Sequence, residues 1–368
     1  MIDQKKNLII FMPYIDIGGV EKNLFIISNY LSTIIKNIKV VTISNIHKKN
    51  FNKNIKLIFP KKNYSKTLFK RIKYLICLFE LFKYLKKNQN SVVLSFQANI
   101  YCIIICKLLK IKIIIRNNSS PDGWGHNLVK KFIYKKIISQ ADEVIVNSQD
   151  FKNQIQGRFH VNAKCIYNPL DISDIKKKSK IKIHDKFFKD ELRIINVGRL
   201  TDQKDQLTLL KAIKNINKRI KIKLMIIGDG EEKKNLVDYI IKNNLRNIVK
   251  IKSFIKNPYP YILKSELFIL TSKYEGLPNV LLEASALNKF IISTNCPTGP
   301  KEILNNGKGG FLINVGDYKK LTKKIIYYYE NRKNLKKKII HNYKNLKRFD
   351  SQTNLLKYLK VVLPYLKN

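Results

Sequence analysis

Residues 266–283 read ELFILTSKYEGLPNVLLE. The run at 267–271 is apolar without alternation, the pattern of a strand covered on both faces in a parallel sheet. A short loop follows, and NVLLE opens a helix. Pro278 is expected in the first helical turn, where its missing N–H is no loss. The amides of Asn279 and Val280 then point beyond the strand's carboxyl edge, and such a helix start is an anion site. Glu283 lies about one turn further in, near the same mouth, where two carboxylate oxygens suit adjacent ribose hydroxyls. Glu275 sits on the loop itself, at the edge where open α/β sheets bind ligands. Spacing alone leaves open that both glutamates are merely solvated, one on a loop and one on a helix face.

Outward from this stretch the same rhythm repeats. Apolar runs occur at 8–12, 40–43, 92–96, 111–115 and 143–147, then at 193–197, 223–227, 249–252 and 290–294. Amphipathic segments such as 22–32 and 206–217 separate them. Strands alternating with helices predict α/β architecture with parallel sheets. The chain of 368 residues is long enough for two such domains. Residues 171–190, DISDIKKKSKIKIHDKFFKD, are charged and lack a core pattern, so they are expected as a linker. The expected domains are 1–170 and 191–345, with 346–368 a helix crossing back to the first domain.

Hydrophobic residues make up 45% and charged residues 27%, a globular profile. Lys and Arg number 72 against 26 Asp and Glu, for a net charge of +46. Such an excess favours anionic partners: nucleic acid, anionic lipid or phosphate-bearing substrates. A general bias toward Lys, Ile and Asn accounts for it equally well. The lysines are spread along the chain rather than gathered in one basic arm. The five cysteines form no CxxC pair and read as free thiols of a reducing compartment. The N-terminus reads as a first strand rather than a signal peptide, and no apolar run is long enough to span a bilayer. Residues 66–87, KTLFKRIKYLICLFELFKYLKK, mix aromatics and lysines at helical spacing. They describe a core helix with a solvated basic face, or a helix whose flank meets anionic lipid. The expectation is a cytoplasmic protein, peripheral on the inner face of the membrane.

Gly198-Arg199-Leu200 and Gln203-Lys204 follow the run at 193–197. A diphosphate there would gain charge-assisted hydrogen bonds from a planar Arg and a point-charge Lys; among 72 basic residues, a solvated face accounts for the pair as readily. Gly18 and Gly19 follow the first run and permit positive φ and close backbone approach to a ligand; a plain turn fits them as well. Gly228-Asp229-Gly230-Glu231 reads as a tight turn before a helix rather than a dinucleotide or metal motif. No acidic pair stands out to carry a metal, and none is assigned. Arg116, Asn118 and Ser119 are weaker candidates for binding sugar or acceptor hydroxyls. His126 fits a solvated loop and is assigned no catalysis.

These motifs together resemble the family 4 glycosyltransferases. Glu275 to Glu283 is similar to that family's E-x7-E element, and Gly198-Arg199-Leu200 with Gln203-Lys204 to its G-R-L…Q-K segment. Gly18-Gly19-Val20-Glu21 is similar to its N-terminal glycine loop. Cys296-Pro297-Thr298-Gly299-Pro300-Lys301-Glu302 looks like a loop of members that build bacterial surface polysaccharides. One departure is the region after Arg116, where many members carry a His. The resemblance implies a GT-B fold, two Rossmann-like doubly wound domains facing across a cleft. It implies retaining transfer of a hexose or N-acetylhexosamine from a nucleotide-diphosphate sugar, UDP by preference, to a hydroxyl of a glycan or lipid-linked glycan in polysaccharide, lipopolysaccharide or capsule synthesis. Arg199 and Lys204 would hold the diphosphate, Glu283 the ribose and Glu275 the sugar, with Gly18 and Gly19 bordering the donor phosphates and no metal required. The competing classes are a basic nucleic-acid-binding protein, which lacks any recognition motif, a dehydrogenase, which lacks G-x-G-x-x-G, and a phosphorylase or non-transferring member of the same fold.

Overall fold

The computed structural model describes every residue except 1–4, 17, 63, 65–68, 119–127, 186, 188–190, 217–219 and 368. The chain forms two compact units, Met1–Pro169 with Ser351–Asn368, and Leu170–Asp350.

The first unit is built on seven strands: β1 (Asn7–Phe11), β2 (Ile38–Val41), β3 (Lys56–Ile58), β4 (Ser91–Ser95), β5 (Lys112–Asn117), β6 (Glu143–Val146) and β7 (Lys164–Cys165). They lie in the order β3-β2-β1-β4-β5-β6-β7, all parallel. Successive side chains of a strand point to opposite faces, and here both faces are dry. Leu8 and Ile10 enter one core with the helices Gly19–Ser32 and Ser351–Lys367. Ile9 and Phe11 enter another with the helices Lys70–Lys87, Asn99–Leu108 and Gln149–Phe159. That double burial is why β1 shows no polar alternation.

The second unit carries β8 (Leu192–Val197), β9 (Ile222–Ile227), β10 (Val249–Lys252), β11 (Leu267–Leu270), β12 (Phe290–Thr294) and β13 (Phe311–Ile313). Their order is β10-β9-β8-β11-β12-β13, again parallel throughout. Each of the ten apolar runs corresponds to a strand. β3, β7 and β13 were not anticipated. They have three, two and three residues, and each closes an edge of its sheet, too short to stand out as a run.

The expected linker at 171–190 is not one. It contains the helix Ile172–Ser179, capped by the Asp171 carboxylate, which accepts from the Asp174 N–H at 2.9 Å. Ile175 and Ser179, one turn apart, are buried, and the helix packs on the helices Tyr259–Lys264 and Asn279–Ala286. Asp185 pairs with Lys252 at 2.8 Å, a contact that holds its carboxyl below the usual range against the opposing effect of burial. The segment therefore belongs to the second unit, which runs on to Asp350 rather than to 345. Its single buried stripe was hidden by the lysines around it.

The helix Ser351–Lys367 returns to the first unit and covers it with Leu355, Tyr358, Val362 and Leu366. Arg116 at the end of β5 locks it in place. The guanidinium is wholly enclosed, donating to the Tyr358 hydroxyl at 2.8 Å and to Asn168 Oδ1 at 2.7 Å, with the Phe96 ring 5.3 Å away. Arg116 is thus a clasp of the fold and not a contact for sugar hydroxyls. A hydrogen bond to a charged group contributes about 1.5–3 kcal/mol. Tyr358→Phe should lower the unfolding free energy measured by urea titration by an amount in that range, with a matching fall in the midpoint. The exposed Tyr101 makes a control, Tyr101→Phe, expected to change nothing. Equal midpoints for wild type and Tyr358→Phe would deny the clasp.

Candidate active site

From β8 the chain moves outward to β9, and from β11 it moves the other way to β12. Neighbouring parallel strands that part in this manner leave a crevice at their carboxyl ends, the place where open α/β sheets take ligands. Two loops emerge there. One runs from Gly198 through Lys204 after β8, the other from Thr271 through Gly276 after β11.

Short bonds stitch the loops together. The Lys273 N–H donates to the Gln203 carbonyl at 2.8 Å, and Gln203 Nε2 to the Tyr274 carbonyl at 2.9 Å. The Thr271 hydroxyl donates to the Lys204 carbonyl at 3.1 Å. Lys204 ends a 3-10 turn, Asp202–Lys204, and Asp205 beyond it takes φ +47, a left-handed conformation that Asp tolerates better than most residues. Asp205 then caps the next helix through Thr208, bonding its N–H at 3.2 Å and its hydroxyl at 2.6 Å.

This lattice presses Lys204 Nζ against Glu275 Oε1 at 2.5 Å, with 14% and 7% of the two side chains exposed. The Ser272 hydroxyl donates to the same oxygen at 2.6 Å. Oε2 of Glu275 has no bonding partner among the described residues. Arg199 on the β8 loop is exposed, and its guanidinium is unpaired among the described residues. The arrangement offers one free planar cation, one ammonium held at a fixed point, and one carboxylate oxygen left open. It can receive an anion beside a hydroxyl-bearing group.

A third loop supports the second. The Glu275 N–H donates to the Pro297 carbonyl at 3.1 Å, and the Thr298 hydroxyl to the Glu275 carbonyl at 2.8 Å. Gly299 follows at φ +87, where a Cβ would stand 2.1 Å from the Gly276 carbonyl oxygen and 2.7 Å from Pro278. Only glycine lets the two backbones approach so closely. Under the β8 loop, a Cβ on Gly228 would meet the Gly198 carbonyl oxygen at 1.9 Å. Asp229 is spent on Lys233 at 2.7 Å and on the Phe254 N–H at 2.7 Å, so Gly228–Gly230 is a structural turn. Cys296 borders the site, but burial first, and the Glu275 charge second, push its thiol up to about 12. It stays protonated at neutral pH and is a poor nucleophile.

The helix Asn279–Ala286 begins one residue later than expected, because Pro278 is its N-cap and accepts from the Leu281 N–H at 3.1 Å. Asn279 and Val280 still form its first positions, half-buried. Glu283 is 5% exposed, and its Oε1 accepts from the Tyr259 hydroxyl at 3.3 Å. The second unit thus assembles Arg199, Lys204, Glu275, Asn279, Val280 and Glu283 on two strand ends and one helix. Gly18 and Gly19 belong to the first unit. Neither has positive φ: Gly18 is extended and Gly19 starts a helix, both exposed. Asn118 donates to the Phe96 carbonyl at 2.7 Å. Ser119 and His126 lie outside the described residues. Ser272, Tyr259 and the part played by Thr298 were not anticipated. Ser272 and Thr298 act through loop geometry, and Tyr259 comes from a helix remote in sequence.

The family model for Glycosyl transferases group 1 matches residues 177–346, the region that holds this site. The amylovoran biosynthesis glycosyltransferase AmsD of Erwinia amylovora is 30% identical over 259 residues, covering 67% of this chain and 71% of that protein. An uncharacterised glycosyltransferase of Methanocaldococcus jannaschii is 36% identical over 217 residues, 55% of this chain and 53% of that one. The chain therefore spans about half the length of the latter relative. HepE of Anabaena, solved in complex with UDP-glucose, superposes with a TM-score of 0.78 at 17% identity, covering 97% of this chain and 99% of that one. That likeness speaks for the two-unit GT-B fold. The sequence match to AmsD and the family model that includes the two strand-end loops lead to one conclusion: the chain belongs to the group 1 glycosyl transferases, of family 4 type.

Proposed function

We propose that this protein transfers a hexosyl or N-acetylhexosaminyl group from a UDP-sugar to a hydroxyl of a glycan or lipid-linked glycan, with retention at the anomeric carbon. The observation that carries the proposal is the Lys204–Glu275–Ser272 contact beside the unpaired Arg199, at the strand ends where β8 and β11 part. The UDP-glucose bound by HepE supports the donor class. The name of AmsD supports a product in surface polysaccharide synthesis. The acceptor is presented at the anionic inner face of the membrane, where a basic protein is held.

In this reading the nucleoside diphosphate leaves with the bonding pair as the acceptor oxygen joins the anomeric carbon and passes its proton to the departing phosphate oxygen. Negative charge grows on the departing phosphate oxygen, and preorganised donors aimed at it lower the barrier. Arg199 and Lys204 supply two such groups, and the first amides of the helix Asn279–Ala286 add the positive end of its dipole. Glu275 has two tasks. Its Oε1 fixes Lys204, and its Oε2 takes a sugar hydroxyl and faces positive charge developing at the anomeric centre. Glu283 holds the ribose, with Tyr259 setting its orientation. The fixed cations make the transfer independent of a divalent ion.

Radiolabelled transfer from a panel of UDP-sugars to a lipid-linked acceptor, in excess chelator, tests this directly. Activity should survive the chelator; loss restored by a divalent ion would transfer the charge-stabilising role to metal. Lys204→Ala should lower turnover by roughly 10²–10³-fold, the usual cost of one preorganised donor, with a smaller change in donor affinity. An equal loss in both quantities would make Lys204 a simple binding group.

Glu283→Ala should weaken UDP binding with little effect on the fold, because the ribose loses a charge-assisted contact of about 1.5–3 kcal/mol. Calorimetric titration should show roughly a ten- to hundredfold rise in Kd. Unchanged affinity in a folded variant would remove Glu283 from the donor site.

A further inference from the structure

Three helices on one side of the first sheet are apolar on the wrong face. The helices Lys70–Lys87 and Asn99–Leu108 bury Cys77, Leu81, Leu85, Cys102 and Cys106 against the sheet, as a covering helix should. Their outer faces ought then to be polar. Instead Ile72, Leu75 and Phe79 recur at i, i+3 and i+7 on the outside of the first helix. Tyr101, Ile104 and Leu108 repeat the same spacing on the second. Phe132 and Ile133 continue the surface on the helix Leu128–Ile138. Exposure reaches 63% at Leu75 and Phe79, 74% at Leu108 and 68% at Phe132. The helix Asn99–Leu108 packs against both of the others, so the three stripes are neighbours.

Charge identifies what covers this face. Arg71, Lys83, Lys86 and Lys87 are exposed on the first helix and Lys136 on the third. Glu80 is the one acid in these three helical segments, and it is half-buried. The acids flanking the surface are already engaged. Asp142 is paired with Lys107 and Lys112, and Glu143 with Lys164. An apolar surface fringed by uncompensated cations matches a bilayer whose headgroups are anionic. It matches a second copy poorly, because each chain carries +46 and like charges repel.

We propose that the outer faces of these three helices form a docking surface for an anionic lipid bilayer, with Leu75, Phe79, Leu108 and Phe132 entering the headgroup boundary and the exposed lysines and Arg71 contacting phosphates. The inference extends the membrane-presented acceptor of the preceding section from a single candidate helix at 66–87 to a three-helix surface; residues 66–68 lie outside the described residues. It rests on that reading for its purpose, but its geometry does not depend on the chemistry of the second unit.

Co-sedimentation of the full chain with phosphatidylcholine vesicles, and with equimolar phosphatidylcholine and phosphatidylglycerol, provides the test. Binding should require the anionic lipid and weaken as salt is raised. The pairs Leu75→Glu with Phe79→Glu, and Leu108→Glu with Phe132→Glu, replace exposed residues and should leave the thermal melt unchanged. Each pair should lower vesicle affinity by at least about tenfold. Equal binding to both vesicle types, or undiminished binding by both paired variants, overturns the proposal. So does a salt-resistant dimer in sedimentation velocity that the same substitutions dissociate. A thermal shift with UDP-sugar on the same preparations separates the two readings: failed docking with an intact shift refutes the surface alone, and docking without any shift refutes the donor site alone.

Discussion

The pairing of β8 with β11 is the constraint on which the site depends. Two residues of each strand are in register, Leu267 with Ile194 and Phe268 with Ile195, and the Asn196 side chain donates across to the Ile269 carbonyl at 2.8 Å. With the strands so locked, their following loops start a strand spacing apart and cannot separate. The bonds that join these two loops, from those of Gln203 to the lysine–glutamate pair, span that short gap. The loops are held to each other by one backbone bond and by two side-chain donors that satisfy backbone carbonyls. A preorganised site needs this support, since small errors in position weaken electrostatic stabilisation.

The close approaches at Gly228 and Gly299 serve the same end from below and from the side. In both places a carbonyl oxygen of a site loop occupies the volume where a side chain would begin. The loops rest on bare backbone and gain contact area without depending on flexible side chains. The polar hydroxyls of Ser272, Thr271 and Thr298 then consume the donors and acceptors that this close packing removes from water.

Much of this was legible in the sequence, for physical reasons. A strand buried on both faces must be continuously apolar, so the ten runs announced themselves, and Arg199, Lys204 and Glu275 lay in the loops that follow two of them, with Glu283 on the next helix. Three kinds of feature were hidden. Edge strands such as β7 have too few residues and too much exposed surface to carry a pattern. The helix Ile172–Ser179 needs only one buried Ile and one Ser per two turns, which lysines at the remaining positions obscure. Partnerships between distant segments, Tyr259 with Glu283 or Arg116 with Tyr358, have no signature along the chain at all. The Arg116 case misled most, because a cation at a strand end resembles a ligand contact until its surroundings are known.

The return of the helix Ser351–Lys367 to the first unit bears on how the molecule is made. Leu170–Asp350 is one continuous stretch and can close as soon as it has been synthesised. The first unit cannot, although its synthesis begins earlier. One face of its sheet has the helix Gly19–Ser32 but lacks its second covering helix, and Arg116 has no phenolic partner, until the ribosome has passed through the whole of the second unit and delivered Tyr358. Order of translation and order of completion are thus reversed. The nascent first unit must wait with Leu8, Ile10 and their neighbours partly uncovered, a period in which it is open to capture by chaperones.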